Sequence, residues 1–140
     1  MKVIVLVKAT RESEAGEMPS KGLLEAMGKF NEELVNAGVM QAGEGLHPTS
    51  KGARVTFSGK DRTVTQGPFP LENTVAGFWV WKVGSMDEAI QWARRCPNPH
   101  AGTSELEIRP VFEAEDFGAE FTPELREQEE RLRERVAKAS

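Results

Sequence analysis

The segment Gly77-Phe78-Trp79-Val80-Trp81-Lys82-Val83 carries apolar side chains at both odd and even positions. Side chains alternate between the two faces of a strand, so Phe78 and Val80 point one way and Trp79, Trp81 and Val83 the other. A strand of this kind has both faces covered. Val3 to Val7 shares the pattern, with Val3, Val5 and Val7 opposed to Ile4 and Leu6. The two runs predict neighbouring strands of a sheet that is buried on both sides.

The remaining pattern supplies the other elements. Thr10 to Met18 is polar and reads as a loop. Ser20 caps a helix whose stripe is Leu23, Met27, Phe30 and Leu34, at spacings of four, three and four. Gly38 ends it. Val39 to His47 reads as a second strand, interrupted by Gly43 and Gly45. Arg54 to Ser58 and Thr63 to Gln66 form a hairpin around Gly59-Lys60-Asp61. Gly67-Pro68-Phe69-Pro70 is a rigid turn that delivers the chain into the Gly77–Val83 strand. Ser85 and Glu88 form a capping pair for a helix through Met86, Ala89, Ile90 and Ala93, which stops before Pro97. Glu105 to Phe112 is the last long strand. Thr122 and Pro123 open a third helix. Its charges balance, and its apolar stripe is only Leu125, Leu132 and Val136. Either it is a solvated surface helix or it docks on a partner. This order approaches a split β-α-β arrangement: an α+β fold with an antiparallel sheet of four or more strands and two helices on one face.

Helices on one face leave the other bare, although both central strands have apolar residues there. A patch of that size is unusual on a soluble monomer. Two such faces packed about 10 Å apart would bury it, so a homodimer with facing sheets is expected.

Composition narrows the class. The 140 residues suit one core, and 39% hydrophobic with 29% charged residues is a soluble globular balance. A net charge of −4 argues against a nucleic-acid surface. No apolar run approaches the roughly 20 residues of a membrane span. Met1 to Val7 is too short for a signal peptide and lacks a small-residue cleavage site, so it is read as a strand of a cytoplasmic protein. The single cysteine, Cys96, excludes an internal disulfide.

The last strand offers the candidate chemistry. Leu106, Ile108, Pro110 and Phe112 share one face, and Glu107, Arg109 and Val111 the other. With the Leu-Ile side on the helices, Glu107 and Arg109 project between the sheets, and Trp79 and Trp81 are expected beside them. An Arg between Trp rings could hold an anionic or aromatic small molecule. A structural Glu-Arg pair that sets dimer register is the plainer alternative. His47, before Pro48, is the best candidate general base, although a histidine at a strand end is often only a surface residue. His100 sits in a Pro-rich loop. Phe69 either plugs the core or rims a pocket. Two His residues, with neither CxxC nor HExxH, give no recognisable metal site, and no cofactor motif is present.

Several of these segments occur together in one family. Thr63-Val64-Thr65-Gln66-Gly67-Pro68-Phe69, Ala76-Gly77-Phe78-Trp79, Asp87-Glu88-Ala89-Ile90, Arg95-Cys96-Pro97 and Glu105-Leu106-Glu107-Ile108-Arg109-Pro110 follow in the right order. So do the opening strand and Gly43-Glu44-Gly45-Leu46-His47-Pro48. The chain resembles the YCII-related proteins, in the branch named for an Asp-Gly-Pro-Phe motif, over nearly its whole length. The resemblance implies a ferredoxin-like fold forming a dimeric α/β barrel with a cleft at the sheet-sheet interface. It places the YCII-like domain at 1–118 and a charged C-terminal helix at 119–140. Function in the family is poorly defined. Some relatives carry a His-Asp pair proposed as catalytic, and one YCII-like protein is a dehydrochlorinase. Others are encoded near extracytoplasmic-function sigma factors, which implies an accessory or regulatory role in transcription. Gln66 stands where the family usually has the motif Asp, and Gln is neither an acid nor a base. The resemblance thus implies a small-molecule site at a dimer interface, with or without acid–base catalysis.

Overall fold

The computed structural model describes residues 1–139, and they divide into two compact units, Met1–Pro110 and a second beginning at Val111. In the first unit, β1 (Lys2–Lys8) is followed by a short helix α1 (Arg11–Glu14) and a long helix α2 (Lys21–Asn36). Then come β2 (Met40–Gly45), β3 (Ala53–Ser58), β4 (Asp61–Gln66), β5 (Val75–Lys82), α3 (Met86–Arg95) and β6 (Leu106–Pro110). The expected antiparallel α+β architecture is present, as a four-stranded sheet in the order β2-β5-β1-β6 and a separate hairpin of β3 and β4. The two sheets are open, and neither closes into a barrel.

The stretch expected as a loop after β1 contains α1. Thr10 accepts a hydrogen bond from the Ser13 N–H, and the Ser13 hydroxyl bonds back to the Thr10 backbone. A four-residue polar helix of this kind is held by its cap and leaves no apolar stripe in the sequence. The other caps lie where the pattern put them. Ser20 accepts from the Leu23 N–H, Ser85 from the Glu88 N–H, and Gly38 has a φ of 74°. The Glu88 carboxylate turns back to the Gly84 N–H rather than to that of Ser85.

The core lies between one face of the sheet and the helices α2 and α3. Val3 and Val5 of β1, Trp79 and Trp81 of β5, Phe30 and Leu34 of α2 and Ala89 of α3 are all buried. Phe30 is the hub. Its ring meets Trp79 edge-on at 6.0 Å and Trp81 at 6.3 Å, and lies 6.5 Å from Trp92. Aromatic pairs in this geometry add roughly 0.5–1.5 kcal/mol each beyond the area they bury. The Trp79 indole donates to Asn31 Oδ1 at 2.9 Å, while the buried Trp81 indole N–H has no protein partner among the described residues.

This packing corrects one expectation. Trp79 and Trp81 occupy the helix-covered face, so they do not flank Glu107 and Arg109. Alternation puts those two charges on the opposite face, with Ile4, Leu6, Phe78 and Val80. Both faces of β5 are apolar, so period alone did not say which one the helices cover. The two indoles carry the larger area, and they take the enclosed side.

The second unit is described by itself. Phe112, Phe117 and Phe121 stack in sequence, with centroids 5.0 and 5.2 Å apart, and Arg126 lies over Phe121. Helix α4 (Pro123–Ala139) begins where Thr122 accepts from the Leu125 N–H. Its stripe of Leu125, Leu132 and Val136 is exposed.

Candidate functional site

The loops after β1, β2 and β4 gather at one end of the sheet, and a short hydrogen-bond chain ties them together. Thr49 lies in a single 3-10 turn after Pro48. Its N–H donates to Glu14 Oε1 at 3.1 Å, and its hydroxyl donates to the other oxygen of the same carboxylate. The Thr49 oxygen in turn accepts the Phe69 N–H at 2.9 Å. The Gly67 N–H donates to the Gly52 carbonyl at 2.9 Å, and the Gly67–Pro68 bond is cis. Above the turn, the Arg54 guanidinium sits 4.0 Å from the centroid of the half-buried Phe69 ring. Phe69 is thus held from below by Glu14 and Thr49 and from above by the hairpin. Sequence reasoning missed Glu14 and Thr49, because their meeting is a contact across 35 residues with no local pattern.

Nothing can be added to Gly67. A β-carbon there would lie 1.7 Å from the Thr49 carbonyl oxygen. The glycine of the Gly-Pro-Phe turn is therefore required by the close approach of two backbones.

The two histidines differ. His47 is exposed and makes no hydrogen bond or ion pair among the described residues. His100 is fixed at both nitrogens. Its Nε2 donates to the Lys8 carbonyl at 3.0 Å, and its Nδ1 is 3.4 Å from the Thr10 hydroxyl. With both nitrogens engaged, His100 fastens the 97–100 loop to the end of β1 and has no free lone pair for a substrate proton.

On the face of the sheet that neither α2 nor α3 covers, the strand register aligns side chains in rows. Glu44, Phe78, Leu6 and Glu107 form one row across β2, β5, β1 and β6, and Ala42, Val80, Ile4 and Arg109 form the next. Phe78, Leu6, Val80 and Ile4 are half-buried, while Ala42, Glu44, Glu107 and Arg109 are exposed. Glu107 pairs with Lys8 at 3.8 Å rather than with Arg109. The proposed site residues therefore fall into three groups: Trp79 and Trp81 in the core, Glu107 and Arg109 on the open face, and Phe69 and His47 at the loop end. No hydrogen bond, ion pair or ring contact joins one group to another among the described residues.

A separate groove of about 360 Å³ lies on the helix side of β6, lined in part by Ile90, Arg94, Cys96 and Leu106. Burial pushes the Cys96 thiol from 9.0 up to about 11, and its S–H points at the Pro97 carbonyl, 3.2 Å away. It is protonated at neutral pH and a poor nucleophile. No cluster of three or more His, Cys, Asp or Glu side chains is placed to hold a metal among the described residues. No helix among them is long and apolar enough to cross a membrane.

The profile of the YCII-related domain matches residues 1–115, a stretch that spans all six strands and both helices of the core. The chain belongs to the YCII-related family. This YCII-related chain is also 31% identical over 80 residues to an uncharacterised protein of Rhizobium meliloti (strain 1021). That match covers 56% of the chain and 64% of the relative, so the chain spans less than two thirds of the relative's length.

Proposed function

We propose that this YCII-related chain, a member of the Asp-Gly-Pro-Phe branch, acts as a cytoplasmic homodimer of ferredoxin-like subunits that binds a small organic molecule between its facing sheets. The observation that carries this reading is the open face. Ile4, Leu6, Phe78 and Val80 form a continuous, half-buried apolar floor on the face away from the helices α2 and α3. The strand order β2-β5-β1-β6, with helices on one side only, supports the ferredoxin-like reading. A second copy laid over the floor removes it from water, and Glu107 and Arg109 at its edge provide polar selection.

Binding without turnover is favoured over acid–base catalysis by the histidines. A general base needs a partner that orients it or a substrate within reach. His47 has no such partner among the described residues, both His100 nitrogens are in use, and Gln66 supplies no carboxylate. An accessory or regulatory role is compatible with a binder of this kind.

Sedimentation equilibrium of the wild type and of Phe78→Glu tests the assembly. The wild type is expected at twice the chain mass and the variant at the chain mass, because a carboxylate in the middle of the buried floor is left unpaired. A wild type that stays monomeric at micromolar concentration overturns the dimer.

A further inference from the structure

The open face is sorted by charge along the strands. The four strands hold two carboxylates, Glu44 and Glu107, and both stand in the row of Phe78 and Leu6. Arg109 stands one row further on, beside Ile4 and Val80. In the row beyond, Lys2 and Lys82 lie directly opposite each other. All three cations are exposed, and none has an ion pair or a hydrogen-bond partner for its side chain among the described residues. Like charges directly opposite on neighbouring strands repel and destabilise the pairing. On a chain of net charge −4, the sheet thus concentrates three unopposed positive charges at one end of an apolar floor, while the cation at the other end, Lys8, is taken up by Glu107.

We propose that this face binds an organic monoanion with an apolar body. Its carboxylate lies among Lys2, Lys82 and Arg109, and its body runs along Ile4 and Val80 towards Phe78. Rows on one face are two residues apart, about 7 Å at the rise of a strand. The body therefore extends toward the row that Glu44 and Glu107 close. Glu107 is paired there with Lys8, but Glu44 has no cationic partner among the described residues and repels a second anionic group at the far end, so a dianion of matching length is disfavoured. The inference rests on the reading of the open face as the ligand surface, and it deepens that reading by naming the ligand's charge and polarity.

Equilibrium dialysis of the full chain against labelled octanoate tests it, with octanamide and octanedioate as competitors. Octanoate is expected to bind about tenfold or more tightly than either competitor, the charge-assisted contacts being the source of the difference. In Lys82→Gln/Arg109→Gln the preference disappears, with the circular dichroism spectrum and thermal midpoint retained. Competition by octanamide or octanedioate equal to that by unlabelled octanoate overturns the proposal. So does unchanged octanoate binding by the double variant, or no retention of octanoate at millimolar concentration. Sedimentation of the same samples separates the two readings. Charge-selective binding by a monomer keeps the anion site and sinks the dimer, and a dimer without selective binding does the reverse.

Discussion

Gly67 is the glycine at which an added β-carbon would collide most severely. A methyl group there meets a backbone carbonyl, not the movable end of a side chain, so the 49–52 turn and the Gly-Pro-Phe turn have to separate. Gly67→Ala is expected to cost about 3 kcal/mol or more, at the upper end for overpacking, as read from urea denaturation. Gly43→Ala is milder, about 1–2 kcal/mol, because its β-carbon meets the ring edge of Trp79 and the terminal methyl of Met40, and the methionine can move. The Cys96 thiol makes a pH prediction. Between about 9 and about 11 the unfolded chain has lost this proton while the folded chain keeps it. Stability from this group is complete below pH 9 and falls as pH rises through that window. Alkylation of the folded protein by iodoacetamide is expected to stay slow until the same window. At this scale the sequence was partly legible. The special status of the Gly-Pro-Phe turn could be seen, whereas the Glu14–Thr49 anchor beneath it could not, since neither residue carries a local signal for a partner so distant in the chain.

Elements were read best where a cap and a stripe agreed. Ser20 with Leu23 to Leu34, and Ser85 with Met86 to Ala93, satisfy both criteria, and α2 and α3 stand there. Removing the α3 cap with Ser85→Ala is expected to lower stability by about 1 kcal/mol, measured by denaturant titration, since the Glu88 N–H loses its acceptor. Short or charged elements were harder to read. Helix α1 is too short for a stripe. The β3–β4 hairpin follows its alternating pattern, yet Val55, Phe57 and Val64 are 50%, 70% and 60% exposed, so its apolar side is not core. Arg62 lies over the Phe57 ring at 4.7 Å and shields part of it. Alternation locates the faces of such a strand but says nothing about what, if anything, covers them. The same gap misplaced the two indoles of β5 relative to Arg109.

For the whole molecule, the proposed assembly links stability to concentration. Two chains that share an interior unfold to two separate chains, so the thermal midpoint rises with protein concentration. Raising concentration about a hundredfold is expected to lift the wild-type midpoint by several degrees and to leave that of Phe78→Glu unmoved, as followed by calorimetry. The antiparallel sheet and one-sided helices could be anticipated from periodicity. The family followed from segments in order. Whether a second copy covers the open face is not written in the pattern of one chain, which is why mass and ligand measurements carry that question.

The placement of the indoles also decides which optical signals are informative. Trp79 and Trp81 are sealed on the helix side of the sheet and Trp92 lies against the same Phe30 ring, so intrinsic emission reports melting of the interior. A molecule settling on Phe78 and Val80 touches no fluorophore. Emission titrations will therefore look flat while the face fills, and a tryptophan introduced on that side, as in Phe78→Trp, supplies the missing reporter.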